Sequence, residues 1–292
     1  MHSYYERSAR ERIDEIVDAG SFREILPPTA RTLSPHLQAL DLPVAFDDGV
    51  IVGTAIMDGL PVLIAAQEGG FMGGAVGEVH GAKLVGLLER AMRDKVAGVV
   101  LLLESGGVRL QEANAGLIAV SEVIRAILAS RAAGIPVVAA IGGQYGCFGG
   151  MGIAAACCTT IVMSEEGRLG LSGPEVIETA RGVDEFDSRD RARVWRTVGG
   201  KHRYLLGDCS ALVDDSVDAF RTALLAAIRT GDRFDVEALQ REQAWLDRRL
   251  QRFGHCTDGE DIWRLLGWPE PEQVPLFTPD EFLAQARERR MQ

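Results

Sequence analysis

Three glycine pairs stand before helix-prone stretches in this chain: Gly73-Gly74, Gly106-Gly107 and Gly149-Gly150. The middle pair is the most telling. In VVLLLESGGVRLQEA (residues 99–113) it follows an unbroken apolar run and precedes a charged segment. Glycine lets a backbone turn through positive φ without a Cβ penalty. At the start of a helix it also leaves N–H groups uncovered, facing whatever approaches. Such amides bind phosphate or stabilise an oxyanion. A tight turn with no ligand is the plain alternative. Two such units facing each other would hold one carbonyl oxygen between two amides. A P-loop is not a competitor, since GxxxxGK[ST] is missing, and GGFMGG lacks the spacing of a dinucleotide fingerprint.

The surrounding pattern supplies the elements that must carry these turns. Ser8 and Glu11 have capping-box spacing ahead of Ile13, Ile16 and Val17, which predicts a short N-terminal helix stopping near Gly20. A linker follows around Pro27 and Pro28. VIVGTAIM and LPVLIAA, separated by Asp58-Gly59, read as a β-hairpin. Helices are expected from the spacing of Leu84, Leu88, Ala91 and Met92, and again from Leu117, Val120, Ile124, Ile127 and Leu128. Between and after them, GVVLLL, PVVAAI and TTIVM are continuously apolar, as strands buried on both faces are. The expected fold class is α/β, mostly parallel strands covered by helices. Residues 181–203 are highly charged and predict no deep core. A further amphipathic helix carries Val213, Val217, Phe220, Leu224 and Ile228, and the tail from 232 is helical, polar and Pro-rich at 269–279. The tail reads as an extension that docks on something, giving a division at 1–231 and 232–292.

The chain has 292 residues and a formal net charge of −11 with pI about 5.0. That charge excludes a nucleic-acid backbone as partner and disfavours an anionic membrane surface. Residues 135–163 are uncharged and long enough to span a bilayer. Pro136 and repeated glycines divide them, so they are expected to form strand, glycine loop, buried helix and strand. Five cysteines without a CxxC pair argue against a disulfide framework or a thiolate zinc site and fit a cytoplasmic protein, and the charged N-terminus lacks a signal-peptide core.

The segments FMGGAVGEVHGAKL, VVLLLESGGVRLQEA and GRLGLSGPEVIE together resemble the β-type carboxyltransferase half of biotin-dependent acyl-CoA carboxylases, a crotonase-like fold of repeated ββα units. ARERIDEIVDAGSFREI is similar to that family's opening. The resemblance covers roughly residues 8–230. Ala75 stands where serine is usual, Val108 where alanine is usual, and Glu175 where arginine is frequent. The wording of CFGGMGIAAACCTTIVMSEEGRLGLSGPEVIE is similar to the β subunits of biotin-independent malonate decarboxylases. That resemblance implies a malonyl thioester as substrate, carried on the dephospho-CoA-derived arm of an acyl-carrier subunit, with no covalently bound cofactor on this chain. It implies decarboxylation through an enolate. It also implies a related γ subunit sharing the site and an acyltransferase α subunit in the complex. Carried over motif by motif, Gly106 and Gly107 become one side of an oxyanion hole and Gly149 and Gly150 the other. Phe71, Gly73, Gly74, Ala75, Gly77, Lys83 and Arg109 become contacts for the CoA-like arm. Two rivals remain: a carboxyltransferase β subunit working with carboxybiotin, and a crotonase-like scaffold without catalysis.

Other residues have plain and functional readings side by side. Pro174-Glu175 matches one glutamate of crotonase-type hydratases, but Ile153 occupies the place of the other, so paired acid–base work is missing and Glu175 reads as a surface or interface group. Arg189, Arg191, Arg193, Arg196, Lys201 and Arg203 are either a solvated, salt-bridged face or a contact for carrier phosphates. Lys83 and Arg109 could equally be helix-surface charges. His80 reads as a packed or surface histidine and a weak candidate for proton donor to the enolate. Cys157 and Cys158 read as small core residues.

Overall fold

The computed structural model describes residues 2–45 and 47–291. Its elements in chain order begin with α1 (Ala9–Ile16), β1 (Arg23–Ile25), α2 (Pro35–Ala39), β2 (Val50–Met57), β3 (Leu60–Gln67) and α3 (Glu78–Asp94). Then come β4 (Gly98–Leu102), α4 (Asn114–Ala132), β5 (Val137–Ile141), α5 (Gly149–Ala156) and β6 (Thr160–Ser164). The chain continues through α6 (Pro174–Arg181), α7 (Arg191–Val198), α8 (Gly200–Leu205), β7 (Ala211–Val213) and α9 (Val217–Thr230). It ends with α10 (Val236–Phe253), α11 (Gly259–Leu265) and α12 (Pro279–Arg289).

Among the described residues, seven strands form one sheet in sequence order, β1 to β7. The β1–β2 and β2–β3 pairs are antiparallel and the rest are parallel. Asp58 and Gly59 both have positive φ, +48° and +76°, as the hairpin between β2 and β3 requires. The central strands are buried on both faces, so their residues alternate between two cores. Leu63, Val99, Leu101, Val137 and Ala139 pack under α3, α4 and α5. Ile64, Val100, Leu102, Val138 and Ala140 pack under α1 and α9 through Ile13, Ile16, Phe220 and Leu224. The predicted capping box is present, with the Ser8 hydroxyl accepting from the Glu11 N–H.

The second strand of each expected ββα unit is reduced to single bridges: Val76 with Val108, Ser105 with Cys147, and Cys147 with Leu169. These bridges form a short second layer at the C-terminal ends of β3 to β6, where the glycine pairs lie. Residues 135–163 fold as β5, loop, α5 and β6, and among the described residues no helix is long and apolar enough to cross a membrane.

One expectation is corrected. Residues 181–203 do contain buried positions: Val194 and Val198 of α7 form a small core with Phe148 and Phe186. The charge count hid them because a short helix needs only one turn-spaced pair to bury an edge. The tail docks on α8 and β7. Trp263, Trp268, Val274 and Phe282 join the same core as Tyr204, Leu205 and Leu212.

Candidate functional site

The turn after β4 answers what the glycines at 106 and 107 are for. Ser105 N–H donates to Gly146 O at 2.8 Å, and Phe148 N–H donates to Ser105 O at 2.8 Å. The loops after β4 and β5 are thereby laced together. Gly106 N–H donates to Gly73 O at 2.8 Å, and Val76 N–H donates to Gly107 O at 2.9 Å, which ties in the first glycine segment. On the far side, Gly149 N–H donates to Leu171 O at 3.0 Å. Segments 73–76, 105–108, 146–149 and 168–171 therefore lie side by side.

Gly107 and Gly149 meet face to face. A Cβ placed on Gly149 would sit 3.0 Å from the Gly107 Cα, tighter than ordinary contact. Gly107 has φ +134° and Gly149 φ +60°, so both favour glycine for conformation, and Gly149 also for room. Of the four amides expected to form an oxyanion hole, those of Gly106 and Gly149 are already engaged by backbone carbonyls. The Gly107 N–H is held only by the Ser105 hydroxyl at 3.2 Å. The Gly150 N–H lies in the first turn of α5, where no intrahelical acceptor exists, and meets no other acceptor among the described residues. Gly107 and Gly150 are the two amides left to offer a ligand, beside the positive end of an uncharged helix.

The first glycine motif does something different. Gly74, with φ +67°, lets the chain pass against the Glu104 carbonyl; a Cβ there would come within 1.9 Å of that oxygen. A Cβ on Gly77 would come within 2.5 Å of the Arg109 guanidinium and the Glu112 carboxylate. Phe71, Gly73 and Ala75 are half-buried at the rim beside exposed Gly106. The two cations assigned to a phosphate-bearing arm are committed inside the fold, which corrects that expectation. Arg109 is fully buried, pairs with Asp48 at 2.7 Å and Glu112 at 3.2 Å, donates to the Asp48 carbonyl, and lies over the Phe71 ring. Lys83 Nζ donates to the Asp47 and Val50 carbonyls at 2.9 and 2.6 Å, and burial pushes its ammonium below the usual lysine range. Periodicity could not reveal this: Lys83 is a charged residue on the buried face of α3, and Arg109 lies outside any α-helix, before a short turn.

His80 is fully buried. Its backbone N–H donates to the Asp48 carboxylate, and its ring Nε2 meets the Gln67 amide at 3.1 Å. Burial, with Arg109 and Lys83 nearby, holds its imidazole well below the usual histidine range. Glu175 is exposed on α6. Cys157 and Cys158 are free thiols, Cys158 being buried against Ala154. Most of the basic cluster is paired, and its partners explain the tail. Arg196 donates to Asp258 at 2.8 Å, and Lys201 Nζ reaches Glu165 at 2.7 Å and the Pro275 and Phe277 carbonyls at 3.2 and 2.6 Å. Arg203 pairs with Asp208 at 2.9 Å, Arg189 pairs with Asp187 at 3.2 Å, and Arg191 and Arg193 lie over Trp195 and Phe186.

An apolar groove of about 450 Å³ lies elsewhere, between the β1 end and α3, lined by Ile25, Leu26, Pro35, Val79 and Lys83. It touches none of the glycine segments, and of its two cations Lys83 is turned to backbone carbonyls and Arg90 pairs with Asp94 at 2.9 Å. It carries no chemistry comparable to the facing glycines.

Sequence reasoning missed one feature at the site. Glu104, the last residue before Ser105, is buried and forms an ion pair with Arg12 of α1. A signal was present: Arg12 falls on the buried stripe of α1 with Ala9, Ile13 and Ile16, and Glu104 ends an apolar run.

A family model described as the carboxyl transferase domain matches residues 2–210. The chain is 42% identical to the malonyl-S-ACP:biotin-protein carboxyltransferase MADC of Malonomonas rubra, over 98% of this chain and 96% of that protein. It is 33% identical to the acetyl-coenzyme A carboxylase carboxyl transferase subunit beta of Fusobacterium nucleatum, over 60% of this chain and 59% of that one. Among solved structures, a chain of the Pseudomonas malonate decarboxylase hetero-tetramer in complex with malonate superposes with a TM-score of 0.81 at 43% identity, covering 91% of this chain and 97% of that one. A chain of the Pseudomonas MdcD–MdcE hetero-dimer gives a TM-score of 0.68 at 40% identity, covering 84% and 96%.

Proposed function

The chain belongs to the carboxyl transferase domain family, and from that premise we propose that it is the carboxyltransferase-like subunit of a malonate decarboxylase. The reading is supported by likeness along nearly the whole length to MADC and to the Pseudomonas decarboxylase chain. The single observation that carries the chemistry is the contact of Gly107 with Gly149, which leaves the Gly107 and Gly150 amides as donors. Loss of CO₂ from a malonyl thioester breaks the carbon–carbon bond and leaves its electron pair as an enolate, with charge on the thioester oxygen. Donors fixed where that charge develops lower the barrier by about 3–4 kcal/mol each. Protonation of the enolate carbon then gives an acetyl thioester. No side-chain nucleophile is needed.

The substrate is a malonyl group on a carrier subunit's CoA-like arm. With Arg109 and Lys83 committed to the fold, the arm meets this chain through backbone and small residues at Phe71, Gly73 and Ala75 rather than through charge. Exposed apolar side chains beside the glycines, Leu117 and Ile118 of α4, Ile153 of α5 and Leu171, suit cover by a related γ subunit. An acyltransferase α subunit completes the proposed assembly. Residues 1–231 carry the reaction and residues 232–292 form the extension, in a cytoplasmic complex.

A second reading has a specific observation in its favour. MADC is described as transferring carboxyl to a biotin protein, so the same enolate could arise by transfer to biotin rather than by free release of CO₂. CO₂ release from a malonyl thioester by the assembled complex, with and without avidin, separates the two. Avidin-insensitive release supports biotin-independent decarboxylation; loss of turnover with avidin supports transfer. A third outcome, full turnover after the two glycine loops are wedged apart by Gly149→Ala, would mean that this chain is a scaffold only.

A further inference from the structure

The buried ion pair between α1 and the end of β4 touches both glycine loops. The Glu104 carboxylate sits at the exit of β4, two residues before Gly106. One oxygen receives Arg12 Nη1, and the other accepts the Tyr145 N–H at 3.1 Å, from the loop that leads to Gly149 and Gly150. The Glu104 backbone N–H is itself fixed, donating to the Gln67 side chain at 3.0 Å. Arg12 is held in turn by its Nε, which donates to the Tyr4 carbonyl at 3.0 Å, and by the Tyr4 ring beneath it at 4.6 Å. The carboxylate fits only because Gly143 and Gly69 flank it. A Cβ on Gly143 would lie 2.4 Å from the Glu104 Cδ, and one on Gly69 would lie 2.9 Å from it.

We propose that the Arg12–Glu104 pair is a positioning device that holds the loops after β4 and β5 at the separation the two donor amides need. This rests on the oxyanion reading of those amides. One carboxylate spans two segments far apart in the chain, and α1 supplies the cation that orients it. A buried pair is weak evidence for stability as such, because desolvation offsets much of the attraction. What such a pair does supply is geometry, and small misplacements at a reacting centre carry large rate costs.

The test uses the assembled complex. Glu104→Gln keeps the side-chain volume but offers one acceptor oxygen in place of two, so it cannot serve Arg12 and the Tyr145 amide together. It is expected to lower kcat about tenfold or more, with KM for the malonyl thioester within about threefold. Arg12→Lys is the milder variant and is expected to lower kcat by roughly threefold, measured well below its Tm. Asp232→Asn is the control: it weakens the half-buried Arg131–Asp232 pair at 2.7 Å, remote from the glycine loops, and should lower Tm while leaving kcat unchanged. Amide hydrogen exchange gives a readout independent of turnover. Peptides covering 104–113 and 142–152 should exchange faster in Glu104→Gln, and not in Asp232→Asn. The proposal is overturned if Glu104→Gln keeps wild-type kcat and exchange, or if Asp232→Asn loses as much kcat for the same fall in Tm. If the wild-type complex shows no turnover, the oxyanion reading fails, while the exchange comparison still decides whether the pair fixes the loops.

Discussion

At the scale of single residues, room and conformation matter more than side-chain chemistry. Gly149→Ala puts a methyl group 3.0 Å from the Gly107 Cα, and neither partner is a flexible side chain that could yield. The loops must separate by a few tenths of an ångström, and kcat should fall by about 10²-fold, the order expected for losing one aligned donor. Size-exclusion chromatography of the complex checks that assembly survives. Gly107→Pro is a poorer test, because φ +134° lies far from proline's range. Arg109 gives the opposite kind of prediction. Arg109→Met leaves Asp48 and Glu112 as uncompensated buried charges and should cost about 3–5 kcal/mol in urea unfolding. Any rise in KM beyond that of a destabilised control would restore it as a ligand contact.

At the scale of elements, the extension is held by its aromatic residues and by the cations of α7 and α8. Trp263 is 2% exposed and donates to the His202 ring nitrogen at 3.1 Å, while Trp268 stacks on Phe282 at 5.7 Å. Trp263→Ala removes both a large buried surface and that hydrogen bond. It should cost about 3–5 kcal/mol of stability, read from chemical unfolding, with kcat at low temperature unchanged. The hairpin, the central strands and the amphipathic helices were legible in the sequence because each is a local pattern with a fixed period, but Val213, expected on the last amphipathic helix, lies in β7, and that helix begins at Val217. The buried edge of α7 was not, since two valines among arginines make no periodic signal.

At the scale of the whole molecule, two buried histidines link stability to acidity. Burial, reinforced by Arg203, lowers His202 from its ordinary value to about 3, and His80 shifts in the same direction. Between pH 6.5 and about 3 the unfolded chain binds a proton at His202 that the folded chain refuses. Stability is therefore fully present above pH 6.5 and is lost as pH falls through this window, by at most about 1.4 kcal/mol per pH unit for each histidine. Tm should drop between pH 7 and pH 5, and His202→Asn, which can still accept from Trp263, should flatten part of that slope. An unchanged slope would place the acid sensitivity elsewhere.

The hairpin, the order of the central strands and their covering helices, the three glycine turns and the family resemblance were present in the amino-acid sequence, because hydrophobic period and turn chemistry act over a few residues; the edge strands β1 and β7 were not. Which amides lack a backbone carbonyl acceptor was decided only by the tertiary structure. Gly106 and Gly149 look like Gly107 and Gly150 in the chain, but carbonyls from Gly73 and Leu171 accept their N–H groups. The same holds for Arg109 and Lys83, whose charges are turned inward by Asp48, Glu112 and two carbonyls of the segment before β2 and of β2 itself. Hydrogen-bond partners and ion pairs are set by segments tens of residues apart, and their distances exist only once the sheet has brought those segments together.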